Sequence, residues 1–236
     1  MLTPKRNAHL NPRCSITKLG EYCSQQSSPA RRRDIVKSQK FPPTFKVVRY
    51  TPATRFIIDS LVDGYDQDNW QKQIDQFSLQ KQLAVSTHDQ QQAGCSADAL
   101  RAFQKVMDKL PLADCDLHCG PKSWALDIEG VTVSIRPELF LNIEGRNGVP
   151  QVGCIKLYFS KTHRLDAHAA GVISSVIIEK MKQSMPTTKI ASKHIYVVDV
   201  FGETVFSAPP SHKKLFNEAV AACQEMAFSW PRYTAS

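Results

Sequence analysis

The stretch from Val131 to Lys161, VTVSIRPELFLNIEGRNGVPQVGCIKLYFSK, constrains the fold of this chain more than any other. It reads as two strands and a turn. Val131, Val133 and Ile135 alternate with Thr132 and Ser134, and Val152, Cys154, Lys156 and Tyr158 alternate with Gly153, Ile155, Leu157 and Phe159. Both runs have the period of two that sends successive side chains to opposite faces of a sheet. Gly145-Arg146-Asn147-Gly148 is the turn cluster between them. If the hairpin closes at Arg146–Asn147, facing residues have numbers summing to roughly 293–294, and Glu138 falls opposite Lys156. Directly opposed residues have Cβ atoms about 5 Å apart on one face. An acid and a lysine are then held together in an apolar pair of strands, an arrangement that costs free energy unless further partners satisfy both. From the hairpin alone, a structural salt bridge or a register one residue off is the simpler reading, and a functional pair is the other.

Charge is the next constraint. Of the net +8, residues 1–49 carry eleven Lys or Arg against only Glu21 and Asp34, so this part is +9 and the remainder −1. Such an asymmetry points to a polyanion, nucleic acid before others, contacted by the N-terminal part. The alternative is a solvated basic arm. Hydrophobic and charged contents of 42% and 22% are those of an ordinary globular protein. No apolar run is long enough to cross a membrane, and no apolar h-region follows the basic start. Seven cysteines, an odd number without a framework, predict reduced thiols and a cytoplasmic setting.

Taken in order, residues 1–14 read as a flexible basic lead-in. Ser15 is a candidate N-cap for a short helix with Ile16, Leu19, Tyr22 and Cys23 on one face. Ser28 and Pro29 form the N-cap and N1 of a second helix ending at Phe41-Pro42-Pro43. Arg31, Arg32 and Arg33 in its first turns oppose the helix dipole, a conflict that a bound phosphate would relieve. Thr51 to Leu110 is helical, with apolar faces at Phe56-Ile57-Leu61-Val62, at Trp70-Ile74-Phe77, and at Leu100-Phe103-Val106-Met107-Leu110 after an N-cap at Ser96. The Gln90-Gln91-Gln92 stretch reads as an exposed helix end and loop, and Pro111 to Lys122 as a loop. Strand Ser123–Ile128 and the turn Glu129-Gly130 lead into the central hairpin. A helix from Asp166 to Ser184, an apolar strand from Lys193 to Phe201, a short strand at Thr204–Phe206 and a last helix from Pro209 to Phe228 complete the chain. The expected fold is α/β: a three-stranded antiparallel meander plus a parallel strand after a helical crossover, flanked by helices. Residues 15–122 form a basic helical lobe and insertion, and 123–236 the α/β core, in one compact unit.

The order α-β-β-β-α-β, with Arg136-Pro137-Glu138-Leu139 on one strand and Cys154-Ile155-Lys156 on the next, resembles the PD-(D/E)XK nuclease superfamily. Ser15-Ile16-Thr17-Lys18-Leu19-Gly20-Glu21-Tyr22-Cys23, then Pro29-Ala30-Arg31-Arg32-Arg33, is similar to the opening helices of its RecB-like branch. The resemblance spans residues 15–40 and 123–230. It implies a restriction-endonuclease-like fold and a Mg²⁺- or Mn²⁺-dependent phosphodiesterase acting on DNA, in repair, restriction, or mobile-element and phage conflict. By position Glu138 matches the first metal-binding acid and Lys156 the lysine that positions water or stabilises the transition state. Arg31, Arg32 and Arg33 would grip phosphate, assisted by Arg136 and Lys161. The departure is Cys154, where the family has Asp or Glu; soft sulfur is a poor Mg²⁺ ligand. Either Asp127, Glu144 or Glu21 supplies the second carboxylate, or the chain is a catalytically inactive DNA-binding or scaffold module. Cys115-Asp116-Leu117-His118-Cys119, with Cys95, invites a zinc reading, but no second clustered pair accompanies it and incidental cysteines are the better account.

Overall fold

The computed structural model describes residues 8–24, 28–42, 49–145 and 148–234. The tip of the central turn, Arg146–Asn147, the start of the basic lead-in and Pro43 lie outside the described residues. Among the described residues the fold is α/β, two sheets flanked by helices. In order the elements are β1 (Arg13–Ser15), α1 (Ile16–Cys23), α2 (Pro29–Lys40), α3 (Thr51–Asp63), α4 (Gln67–Leu83) and α5 (Thr87–Met107). There follow β2 (Cys115–Cys119), β3 (Trp124–Ile128), β4 (Val131–Ile135), β5 (Leu139–Glu144), β6 (Pro150–Tyr158), α6 (Ala167–Ser184), β7 (Lys189–Asp199), β8 (Thr204–Ser207) and α7 (His212–Ser229). A 3-10 turn at Trp230–Arg232 closes them.

The larger sheet has strand order β2-β5-β6-β7-β8 and the smaller β1-β4-β3. The hairpin register agrees with the spacing: Leu139 faces Ile155 and Phe140 faces Cys154. The β6–α6–β7 step is a parallel crossover, as the helix between two apolar strands requires. The expected meander is corrected in one respect. Val131–Ile135 pairs with β3, while Leu139–Glu144 pairs with β6, so the chain changes sheets at Arg136-Pro137-Glu138. Proline has no N–H to give a ladder, and the break falls there. Glu129 and Gly130 both have positive φ, 51° and 74°, as the tightest hairpin turns demand, and close β3 onto β4.

Two further corrections concern segments without an apolar period. Arg13 and Cys14 are not lead-in: with Ser15 they form a strand parallel to β4, with Cys14 beside Val133. Cys115–Cys119, expected as loop, pairs antiparallel with β5. The N-cap of α5 is Ser86, whose side chain accepts from the Asp89 N–H, so the Gln-rich stretch is helix. Ser96 lies mid-helix and is fully buried. Ser15 and Ser28 cap α1 and α2 as expected, accepting from Lys18 and Arg31 N–H groups.

The large sheet is covered on both faces. Ile155, Leu157, Tyr196 and Val198 pack with Trp70, Leu100 and Phe103 of the middle helices. Cys154, Ile195 and Val197 face Ile173, Val176 and Ile177 of α6, with α1 and α7 alongside. That double coverage explains why β6 and β7 read as nearly continuous apolar runs. Close approach of α1 to α6 depends on Gly20: a Cβ there would lie 2.8 Å from Ile173 Cγ1 and 2.9 Å from the Ala169 carbonyl oxygen. The carbonyl belongs to a helix and cannot yield. Gly20→Ala is expected to destabilise the fold by about 1–3 kcal/mol, seen as a lower urea midpoint at unchanged slope.

Candidate nucleic-acid interface

The change of sheets at Arg136–Pro137 leaves β6 without a strand partner beyond Ile155 on that side. The Glu138 side chain fills the gap. Its Oε2 accepts the Leu157 backbone N–H at 2.6 Å, and its Oε1 accepts Lys156 Nζ at 2.6 Å. Lys156 Nζ also donates to the Arg136 carbonyl at 2.8 Å. The Glu138–Lys156 pairing expected from the hairpin is therefore present, with both side chains nearly buried, 13% and 10% exposed. Burial pushes the Glu138 carboxyl above the ordinary carboxylate value, opposed by the Lys156 ammonium and the Leu157 N–H.

This donor set does not fit the Mg²⁺ or Mn²⁺ implied by the resemblance. Both Glu138 oxygens are engaged. Cys154 is fully buried among Ile195 and Val197, and burial, then the nearby Glu138 charge, pushes its thiol far up, so it stays neutral. The candidate second acids lie elsewhere. Asp127 Oδ1 accepts the Gly130 N–H in the β3–β4 turn at 3.2 Å. Glu144 ends β5 at the opposite end from Glu138. Glu21 on α1 is bonded to Lys18 and to Arg31, whose Nε lies 2.7 Å away. Burial raises the Glu21 carboxyl, but Lys18 and then Arg31 outweigh it and the pKa falls below the ordinary value. Among the described residues no three His, Cys, Asp or Glu side chains form a metal-binding group.

What the sheet change does create is a cleft of about 760 Å³, with Arg13, Lys18, Arg136 and Lys156 on its walls beside Ser15 and Ser134, and with no Asp or Glu among its lining residues. The register explains the placement. Arg13 pairs with Thr132 and Ser15 with Ser134, so these side chains share the face of the small sheet opposite to buried Cys14, Val133 and Ile135. Arg136 continues that face past the end of β4. Arg13 and Arg136 are exposed and have no ion-pair partner among the described residues. Gln39 of α2 forms the other wall, its Oε1 accepting the Ser15 N–H at 3.1 Å. The strand that carries Arg13 is fastened at its start. The His9 N–H donates to the Lys40 carbonyl at 2.9 Å and Trp230 Nε1 to the His9 carbonyl at 3.1 Å. Lys40 Nζ in turn donates to the Trp230 and Tyr233 carbonyls at 2.7 and 2.8 Å.

The other expected phosphate contacts are dispersed. Arg31 is held by Glu21. Arg32 lies over the Tyr22 ring and 3.8 Å from Glu225. Arg33 is exposed on α2. Lys161 pairs with Asp98 at 2.6 Å, over the Phe201 ring. Only Arg136 of the expected set lines the cleft; Arg13 escaped sequence reading because a three-residue strand has no readable period, and Lys18, on the expected helix α1, reaches the cleft only because β1 pairs with β4. Fold and site together define a mixed α/β protein with a cation-lined cleft. No protein-family model matches the sequence, and no curated protein does. Among the described residues no helix is long and apolar enough to cross a membrane.

Lys156→Met leaves the Glu138 carboxylate buried without its cation, which costs about 3–5 kcal/mol at neutral pH. The folded pKa of Glu138 is already above its ordinary 4.5 and rises further in the variant. Its penalty is therefore absent below 4.5, grows as pH rises towards the folded pKa, and is full above it. Urea denaturation at several pH values should show the variant recovering on acidification, whereas Glu138→Leu with Lys156→Met should lose about 1–3 kcal/mol independently of pH, from the Leu157 N–H left without its acceptor.

Proposed function

We propose that this protein binds nucleic acid through the phosphate backbone and does not cleave it. The observation that carries the proposal is the cleft whose cations, Arg13, Lys18, Arg136 and Lys156, face no lining acid. Arg13 and Arg136 have no ion-pair partner among the described residues, while Lys18 pairs with Glu21 and the lysine nearest the floor is fixed in place by Glu138. Phosphate contacts of this kind hold a backbone without reading sequence. The excess of Lys and Arg before residue 50 supports the same reading by favouring encounter with a polyanion.

The scaffold is of the PD-(D/E)XK, RecB-like kind in this reading. Support comes from the parallel β6–α6–β7 crossover, the capped helices Ile16–Cys23 and Pro29–Lys40, and Glu138, just before β5, meeting Lys156 of β6. In the nuclease form of that scaffold the acid would hold a divalent cation and the lysine would act on water. Here acid and lysine are bonded to each other and Cys154 is a core thiol. The non-catalytic alternative is thus favoured over a DNA phosphodiesterase.

Fluorescence anisotropy with labelled single- and double-stranded DNA tests it. Binding should weaken steeply as salt rises from about 50 to 200 mM. Arg13→Ala with Arg136→Ala should lower affinity about tenfold or more and reduce the salt slope by about 2. Linear and circular DNA should survive Mg²⁺ and Mn²⁺; cleavage lost in Glu138→Ala would restore the nuclease reading, and salt-insensitive or absent binding would end the polyanion one.

A further inference from the structure

The motif Cys115-Asp116-Leu117-His118-Cys119 takes no part in the cleft. It forms β2, an outermost strand of the five-stranded sheet. Asp116 and His118 project from one face, 71% and 53% exposed, joined by a 2.8 Å contact between His118 Nε2 and Asp116 Oδ2. The phase of the strand's hydrogen bonds is fixed by its neighbour. One step past the pair Cys119–Leu139, the Gly120 N–H donates to the Glu138 carbonyl at 2.8 Å. In an antiparallel ladder a residue's N–H and C=O point to the same side, and successive residues alternate sides. Asp116 and His118 therefore bond towards β5, and Cys115, Leu117 and Cys119 direct their backbone groups away from the sheet. The Cys115 N–H is taken by the Leu112 carbonyl at 3.0 Å. The Leu117 and Cys119 N–H and C=O groups and the Cys115 C=O are without partners among the described residues.

This edge is complementary to itself. Read from either end about Leu117, the residues run Cys, a member of an acid–imidazole pair, Leu, the other member, Cys. A second copy laid antiparallel across a two-fold axis at Leu117 sets Cys115 against Cys119, Leu117 against Leu117 and Asp116 against the second copy's His118. The outward backbone groups then meet. Leu117 exchanges two hydrogen bonds with its equivalent, and each Cys119 N–H reaches the opposing Cys115 carbonyl. The Asp–His pairs fall at the non-hydrogen-bonded positions, where side chains approach most closely. Sliding the strands by one pair in either direction sets Asp116 against Asp116 or His118 against His118, so acid–imidazole complementarity favours one register. The opposite edge, Thr204–Ser207 of β8, has no such symmetry.

We propose that β2 is a self-association edge and that two copies of this chain join antiparallel through it, merging their five-stranded sheets into one continuous sheet. A contact of this length belongs with the small, transient interfaces, with dissociation expected in the range of tens of micromolar.

Sedimentation velocity of the full chain under reducing conditions, from about 5 to 200 µM, should show the monomer giving way to a dimer over that range. His118→Asp places carboxylates opposite one another and should hold the protein monomeric. Leu117→Pro should do the same, because its N–H faces away from β5 and an edge is where a strand accepts proline; unchanged circular dichroism shows that each variant folds. A second readout is covalent. Diamide takes two protons and two electrons from the facing Cys115 and Cys119 thiols and is itself reduced to the hydrazine, forming an S–S bond between copies. The Cα separation of a hydrogen-bonded pair, about 5.5 Å, suits a disulfide. Dimer on non-reducing gels that is lost in Cys119→Ser supports the pairing. A wild type that stays monomeric throughout, or a dimer that survives both His118→Asp and Leu117→Pro, overturns it.

Discussion

The Glu138 carboxylate does the work of a missing strand. Where the chain leaves the small sheet for the large one, Pro137 offers no N–H and the backbone of β6 loses its neighbour; two side-chain oxygens take the Leu157 N–H and the Lys156 ammonium instead. Lys156 closes the arrangement on the Arg136 carbonyl. With every polar group at the junction given a partner, two sheets can share one continuous chain segment without an orphaned donor, which in a buried place would cost about 1–3 kcal/mol. The cleft follows from the same junction. Because β4 and β5 diverge there, Arg136 is left at the rim, Lys156 near the floor, and β1 finds room to lie beside β4 and bring Arg13.

The chemistry open to such a site is set by what each charge is already doing. Lys156 and Glu138 neutralise each other and serve the backbone. Arg13 and Arg136 have no ion-pair partner among the described residues, and α1 presents its N-terminal end with Ser15 and Thr17 beside them. A helix start and two unengaged guanidiniums suit an oxyanion that stays intact. They do not suit a hard divalent cation, for which the nearby oxygens are spoken for and the nearby sulfur is neutral and dry. In the proposed reading, binding and hydrolysis, which begin from the same pair of residues in the sequence, part company in the hydrogen bonds those residues make.

Much of this was legible in the residues. The period of two in Val152–Phe159, together with the turn cluster, gave the facing of Glu138 and Lys156, although Val131–Ile135 belongs to the other sheet; serines at 15 and 28 gave two helix starts; the apolar run near Val197 gave a strand covered on both faces. What was hidden had no local signal. Arg13-Cys14-Ser15 is too short to show alternation, and its strand exists only because β4 lies alongside. Cys115–Cys119 is an edge strand with polar residues on one side, so its composition resembles a loop. The start of α5 at Ser86 has no local apolar signal because its first turns, through Gln90-Gln91-Gln92, are mostly exposed; the buried face becomes periodic only near Ser96. The cleft itself joins Arg13 to Arg136 across about half of the chain, a meeting that depends on sheet pairing and on no spacing.

The Glu138–Lys156 clasp also bears on how such a chain can change over evolutionary time. Replacing Cys154 by aspartate alone would add a second anion to a dry core beside one whose single cation is already shared. Releasing Glu138 alone would open the sheet junction before any ion had a cage to enter. Each step lowers stability by itself, so a cage for a divalent cation at this position would require several substitutions together.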